Sequence, residues 1–299
     1  MKRLFSVYGD SISTFEGVTP DGWSIFYTGE QREATGVQTP ADTWWMQVIN
    51  HFDGEFLANA AWWGCVCEGN VFPQGASERR IAALERDGKT PDDILIYIGI
   101  NDYGWGSAYA QICGGSPNAP AELVASCPDK GNVAGLAPDG AVEKFAASYR
   151  NMLRTMHEKW PNAHIWAATL LPGRVKGAVR STSPRWFRGI CVDEYNKAIH
   201  SAAADEPNCT PVDAAALGFD YEAIDGTHPT NRGMKQLAAI YIRGMETADE
   251  ALPRTPYEGR KLLTDDMRTV EFCTKPCVGC EYAKGTGNNW WHVCEKQLR

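Results

Sequence analysis

Apolar residues fall into two alternating patterns along the chain. Short runs bounded by turn residues recur at 4–8, 55–58, 93–98, 164–169 and 209–212, the length expected of buried strands. Between them lie stretches with helical spacing: 41–52 after a Thr-Pro start, 77–86 with Ser77 as its cap, 141–160, 187–203 and 231–246. In the third, Val142, Phe145, Tyr149, Met152, Leu153 and Met156 form one apolar stripe, as a helix laid on a sheet requires. Strand followed by helix, five times over, predicts an α/β fold with a doubly wound, mostly parallel five-stranded sheet and helices on both faces. Ligands sit outside the carboxyl ends of such strands, so a catalytic residue should follow a strand rather than precede one.

Two stretches break the alternation. Residues 104–140 follow the third strand and are rich in Gly, Pro, Ala and Ser; an insertion of that length is a candidate lid. Pro253-Arg254-Thr255-Pro256 reads as a linker. The expected division is therefore a main domain over 1–252 and a linker with a cysteine-rich module over 253–299.

Composition narrows the function classes. A net charge of -8 over 299 residues argues against nucleic acid or an anionic membrane as a partner. No apolar run approaches the ~18–20 residues that span a bilayer. The N-terminal apolar stretch runs straight into Gly9-Asp10-Ser11 without a cleavage site, so it reads as a first buried strand rather than a signal peptide. A cytoplasmic location is the expectation. Nothing in the sequence sets the oligomeric state.

Candidate chemistry begins at Ser11, which the first strand would deliver to the functional edge. A serine hydroxyl needs a base, so the hypothesis depends on a partner histidine. Of the six histidines, His228 has a carboxylate three residues upstream in Asp225-Gly226-Thr227-His228-Pro229. That spacing brings Asp225 to Nδ1 and leaves Nε2 for the serine. Donors for a tetrahedral oxyanion are also required. Asn101, in Gly99-Ile100-Asn101-Asp102, follows the third strand, and Gly64, in Asn59-Ala60-Ala61-Trp62-Trp63-Gly64, follows the second. No Gly-x-Ser-x-Gly occurs, which argues against the elbow of the α/β-hydrolases.

These four segments, in this order, resemble the SGNH/GDSL hydrolase superfamily over about residues 2–247. The resemblance implies Ser11 as nucleophile and first oxyanion N–H, with Gly64 N–H and the Asn101 side chain as further donors. It makes Asp225 and His228 the rest of the triad, and it implies a three-layer α/β fold like that of flavodoxin. The activity implied is that of a serine esterase or acylhydrolase working through an acyl-enzyme, without a catalytic cofactor. An acyltransferase using the same triad is the near alternative. A binding or scaffold protein docking through its tail is the alternative from another class.

Substrate features are fewer. Among eleven tryptophans, Trp62, Trp63, Trp105 and Trp186 lie in segments expected at the active edge, and aromatic platforms suit sugar rings. Residues 171–190 carry Arg174, Lys176, Arg180, Arg185 and Arg188 with no acidic residue, which suits an anionic small molecule. Candidate substrate contacts are Asp10, Asp102, Trp63, Trp105, Arg180, Arg185 and Trp186. The 104–140 insertion is not Leu/Phe-rich, so a short acyl group, acetyl first, is expected.

Ten cysteines remain. Cys65, Cys67, Cys113, Cys127, Cys191 and Cys209 are scattered and read as buried thiols. Cys273, Cys277, Cys280 and Cys294 crowd the last 27 residues at knuckle-like spacing. Structural tetrahedral zinc on four thiolates is the leading expectation, with His292 as a replacement ligand. Disulfides, free thiols and an iron–sulfur cluster are the alternatives.

Overall fold

The computed structural model describes residues 2–105, 137, 139–171, 173–176, 186–187, 190–217, 220–248, 283–285 and 292–294. Strands β1 (Leu4–Gly9), β2 (Glu55–Asn59), β3 (Asp93–Tyr97) and β4 (His164–Ala168) open the main sheet. Short strands β5 (Gly173–Val175), β6 (Trp186–Phe187) and β7 (Ile190–Cys191) precede its last member, β8 (Cys209–Val212). The order is β2-β1-β3-β4-β8, and all four pairings are parallel. Outside the main sheet, β5 pairs with β9 (Tyr221–Ala223), β6 with β7, and β10 (Ala283–Gly285) with β11 (His292–Cys294).

Eight α-helices are described: α1 (Gly29–Thr35), α2 (Trp44–His51), α3 (Glu78–Ala82), α4 (Ile100–Trp105), α5 (Ala141–Lys159), α6 (Val192–Asp205), α7 (Ala214–Leu217) and α8 (Asn231–Glu246). The path from β1 to β2 runs one way along the sheet, and the paths onward to β3, β4 and β8 run the other way. Right-handed crossovers then place α2 on one face and α3, α5 and α6 on the opposite face. Contacts agree: α2 packs on α8, while α5 packs on both α3 and α6. With layers on both sides, every residue of β3 is buried, which is why its sequence is almost continuously apolar.

Three predicted helices begin or end elsewhere, each for a local reason. Segment 41–52 is split, because Thr39 and Asp42 box a 3-10 turn at Pro40–Asp42 and Thr43 then caps α2. Segment 77–86 shortens to α3, where Ser77 makes no capping bond, before a turn at Asp87 and Gly88 with positive φ sends the chain into β3. Segment 187–203 starts late, because Trp186–Phe187 and Ile190–Cys191 pair as an antiparallel ribbon ahead of α6. No helix among the described residues is long and apolar enough to cross a membrane. The expected linker at 253–256 lies outside the described residues, as do most of the 104–140 insertion and Cys113 and Cys127.

Candidate active site

The sheet order reverses between β1 and β3, and the crevice at such a switch point is where α/β folds bind ligands. Ser11 and Asn101 flank it. Register aligns the strand ends, with Gly9 beside Tyr97 and Val7 beside Asn59. At Gly9 a Cβ would lie 2.8 Å from the Tyr97 carbonyl oxygen and 2.5 Å from Ser13 Oγ, so only glycine allows this turn. Asp10 caps the single 3-10 turn Ser11–Ser13, its Oδ1 accepting from Ile12 N at 3.0 Å. Asn59 Nδ2 and Trp45 Nε1 donate to the Ser13 carbonyl at 2.8 and 3.0 Å. The turn that carries Ser11 is thereby tied to β2 and α2.

Ser11 Oγ lies 2.9 Å from His228 Nε2, and Asp225 Oδ2 lies 2.7 Å from His228 Nδ1. Asp225 Oδ1 accepts from the backbone N–H of Thr227 at 2.9 Å and of His228 at 2.8 Å. One carboxylate thus shapes the turn and orients the imidazole. Burial pushes the Asp225 carboxyl up, but the facing His228 charge and these hydrogen bonds outweigh it and hold it below the usual carboxylate range. Behind the turn, Tyr221 donates to the Thr227 carbonyl at 2.7 Å and Tyr27 to the Pro229 carbonyl at 2.9 Å. Helix α8 starts where the sequence suggests: Thr230 caps it, and Pro229, just ahead of it, bridges to Ala223.

Trp62 to Cys65 form a turn closed by Cys65 N donating to Trp62 O at 3.1 Å. Gly64 takes its third position at φ +81°, a conformation that favours glycine in a type II turn. Among the described residues, neither Ser11 N–H nor Gly64 N–H has an acceptor. Asn101 Nδ2 donates to the Cys65 carbonyl at 2.9 Å, which joins the third segment to the second. Asp102 is buried, accepting from Cys67 N at 3.0 and 2.9 Å and from Glu68 N at 3.2 Å. Burial pushes both Asp102 and Asp10 up to about 7.

Of the other candidates, Trp63 is half-buried and meets Phe26 edge to face with centroids 5.6 Å apart. Trp105 ends α4 and Trp186 begins β6; Arg180 and Arg185 lie outside the described residues. Arg174 is turned away from solvent and pairs with Asp220 at 3.2 Å. Cys65, Cys67 and Cys191 are buried, and Cys209 is half-buried. Cys273, Cys277 and Cys280 lie outside the described residues, while Cys294 and His292 belong to β11.

Two neighbours of these residues escape a reading of the sequence. Arg80 is fully buried on α3 and meets no carboxylate among the described residues. Its Nη2 donates to Gly9 O at 2.7 Å and Ala60 O at 2.8 Å, its Nε to Ala60 O at 3.1 Å and its Nη1 to Pro73 O at 2.9 Å. Nη1 also contacts Cys65 Sγ, and the guanidinium carbon sits 4.0 Å from the Tyr8 ring centroid. An arginine in an amphipathic helix reads as solvated surface, so no sequence signal marks it. Phe26 stacks on His228 with centroids 3.6 Å apart and planes 7° from parallel. The aromatic run Trp23-Ser24-Ile25-Phe26-Tyr27 was the only available hint.

Residues 3–114 match the model of the GDSL-like Lipase/Acylhydrolase family, the stretch that carries Ser11, Gly64 and Asn101. The protein is a carboxylic ester hydrolase. Two solved structures share its fold: proteins described as GDSL-like lipases from Bacteroides ovatus and Bacteroides uniformis. The first is 21% identical with a TM-score of 0.50, covering 83% of this chain and 99% of that one. The second is 18% identical with a TM-score of 0.50, covering 82% of this chain and 96% of that one. No curated protein matches the sequence.

Proposed function

We propose that this ester hydrolase is a serine esterase that removes a short acyl group, acetyl first, through an acyl-enzyme. The observation that carries this reading is the unbroken hydrogen-bond chain from Ser11 Oγ through His228 to Asp225. His228 Nε2 takes the Ser11 proton as Oγ bonds to the ester carbonyl carbon, and the carbonyl π pair moves onto oxygen. Ser11 N–H, Gly64 N–H and Asn101 Nδ2 face that oxygen as donors. The tetrahedral adduct collapses, and His228 returns the proton to the departing alcohol. Water, deprotonated by His228, then attacks the acyl-Ser11 carbonyl; the second adduct expels Ser11 Oγ, which takes the proton back from His228 as the acid leaves.

A short acyl group is favoured because the 104–140 insertion offers no run of long aliphatic side chains. The alcohol half suits a sugar: Trp63, one ring removed from the imidazole through Phe26, offers an aromatic surface to the apolar face of a pyranose. The test is turnover of p-nitrophenyl acetate, butyrate and octanoate and of acetylated monosaccharides, by wild type and Ser11→Ala. Turnover should fall by about 10⁶-fold in the variant, as for other triad nucleophiles, and acetate should be the best of the acyl series. Equal turnover by the two proteins would remove the serine mechanism, and a preference for octanoate would remove the short acyl group.

A further inference from the structure

The Phe26 and His228 rings lie 3.6 Å apart between centroids, tilted by only 7°. Two such rings cannot approach much closer than about 3.5 Å, so almost no lateral offset remains. Two neutral aromatic rings disfavour that arrangement, since their negative faces oppose each other; they prefer to slide or tilt. An imidazolium reverses the preference, because a cation is drawn to the face of a π system. The contact is therefore poor for the resting base and good for the base that has just received a proton. Interactions stronger in the transition state than in the ground state are the ones that accelerate a reaction.

Phe26 is held for this contact. Its N–H donates to Thr14 Oγ1 at 3.0 Å, and Thr14 Oγ1 donates to the Ser11 carbonyl at 2.9 Å, so one hydroxyl links the ring's backbone to the nucleophile turn. Next to it Tyr27 reaches across to the Pro229 carbonyl. Trp63 and Tyr27 meet the Phe26 ring edge to face, with centroids 5.6 and 5.0 Å away. Both Phe26 and His228 are buried, which strengthens a charge–quadrupole attraction relative to water.

We propose that Phe26 is a positioning residue whose ring face favours the protonated imidazole of His228, so that its contribution grows as the Ser11 proton is transferred. This rests on the reading of Ser11 as nucleophile and His228 as base. In the step concerned, the proton passes from Oγ to Nε2 while the Oγ–carbon bond forms. Positive charge then appears on the ring beneath Phe26, and negative charge appears on the substrate oxygen. The titratable groups facing His228 are Asp225 on its own loop, Ser11 and Asp10 at the end of β1, and Tyr27 and Tyr221 on the segments packed behind it. Tyr27 and Tyr221 are held protonated by burial, which leaves Asp10 as the group that could imitate the effect.

The test replaces Phe26 in the full chain with mono-, di- and trifluorinated phenylalanine, which keep the ring's shape while draining charge from its face. kcat on p-nitrophenyl acetate should fall stepwise to about ten-fold below wild type at three fluorines, with KM within about two-fold. The acid limb of kcat/KM should move to lower pH in the same steps, because a weaker π face lets the imidazolium lose its proton sooner. Both trends should persist in an Asp10→Asn background. A flat series in rate and limb overturns the proposal. If the fluorinated chains do not fold, Phe26→Leu gives the same reading: a lower rate with an unmoved limb makes the ring merely structural and overturns it. Proton NMR titration of the His228 ring in Ser11→Ala separates the two claims, since it needs no turnover. A fluorine-dependent midpoint there supports the stacking effect even where no ester is cleaved. A fixed midpoint with full Ser11-dependent turnover overturns only this inference.

Discussion

The two arms of the site are held by different means. The nucleophile arm consists of three strand ends, and β1, β2 and β3 deliver Ser11, Gly64 and Asn101 in register. Its ties are buried polar bonds between neighbouring segments: Arg80 to Gly9 and Ala60, Asn101 to Cys65, and Asp102 to Cys67. The base arm hangs from β9, a three-residue strand outside the main sheet. It is held by its own carboxylate and by groups more distant in sequence, Tyr27 and Phe26. A sheet fixes the position of a backbone, whereas the base must also present one tautomer in one plane. That extra requirement is met by side chains.

Breaking the base arm should therefore cost more activity than stability. Asp225→Asn keeps an oxygen for the two backbone N–H groups that Oδ1 now accepts, so the turn should survive. The amide nitrogen would face His228 Nδ1 as a donor and force the proton onto Nε2, the wrong nitrogen for accepting from Ser11. A loss of about 10⁴-fold in kcat is expected, with the urea midpoint nearly unchanged. A variant that loses stability in proportion to activity would show that the turn, rather than the tautomer, depends on Asp225.

Breaking the nucleophile arm should do the reverse. Arg80→Met fills much of the same volume but leaves the Ala60 carbonyl without its donor and takes one from Pro73. The Gly9 carbonyl keeps Trp62 N–H at 3.1 Å. Stranding the buried Ala60 acceptor, while Pro73 keeps the Cys65 thiol as its donor, costs roughly 1–3 kcal/mol, read as a lower urea midpoint at constant slope. Under conditions where the variant is fully folded, the acid limb of its pH–rate profile should coincide with that of wild type. A shifted limb would mean that the two arms are coupled and the comparison is wrong.

The same contrast explains what the sequence could reveal. The five strands, the longest helix and the four motif segments are short-range signals, and each triad or oxyanion residue sits at the end of a local pattern. Cys209–Val212 and Asn231–Glu246 agree with expectation residue for residue. Arg80 and Phe26 carry no such mark. Their roles arise only when α3 is laid against the ends of β1 and β2, or when residues 14–28 fold over a loop about 200 positions away. Asp10 and Asp102, expected to contact substrate, accept from backbone N–H groups, because a carboxylate beside a glycine-rich turn is also suited to capping.

Asp10 belongs to the nucleophile arm but faces the base, and it gives the smallest expected effect. Its Oδ2 is buried without a partner among the described residues, and burial pushes the carboxyl from 3.8 up to about 7. A raised folded-state value means that between about pH 4 and pH 7 the unfolded chain gives up this proton while the folded chain retains it. Stability is therefore lost progressively as pH rises through that window, and the penalty is complete above about pH 7. Asp10→Asn removes the ionisation and keeps the cap on Ile12 N–H, but it buries an amide N–H₂ whose missing acceptor costs ~1–3 kcal/mol. The two effects oppose each other, so the variant should be less stable than wild type at pH 4 and should draw level or gain about 1 kcal/mol by pH 8. Urea midpoints at pH 4, 6 and 8 read this difference. A gap that stays constant across the three would mean that Asp10 is ionised throughout, with its negative charge bearing on the imidazole as well as on the nucleophile turn.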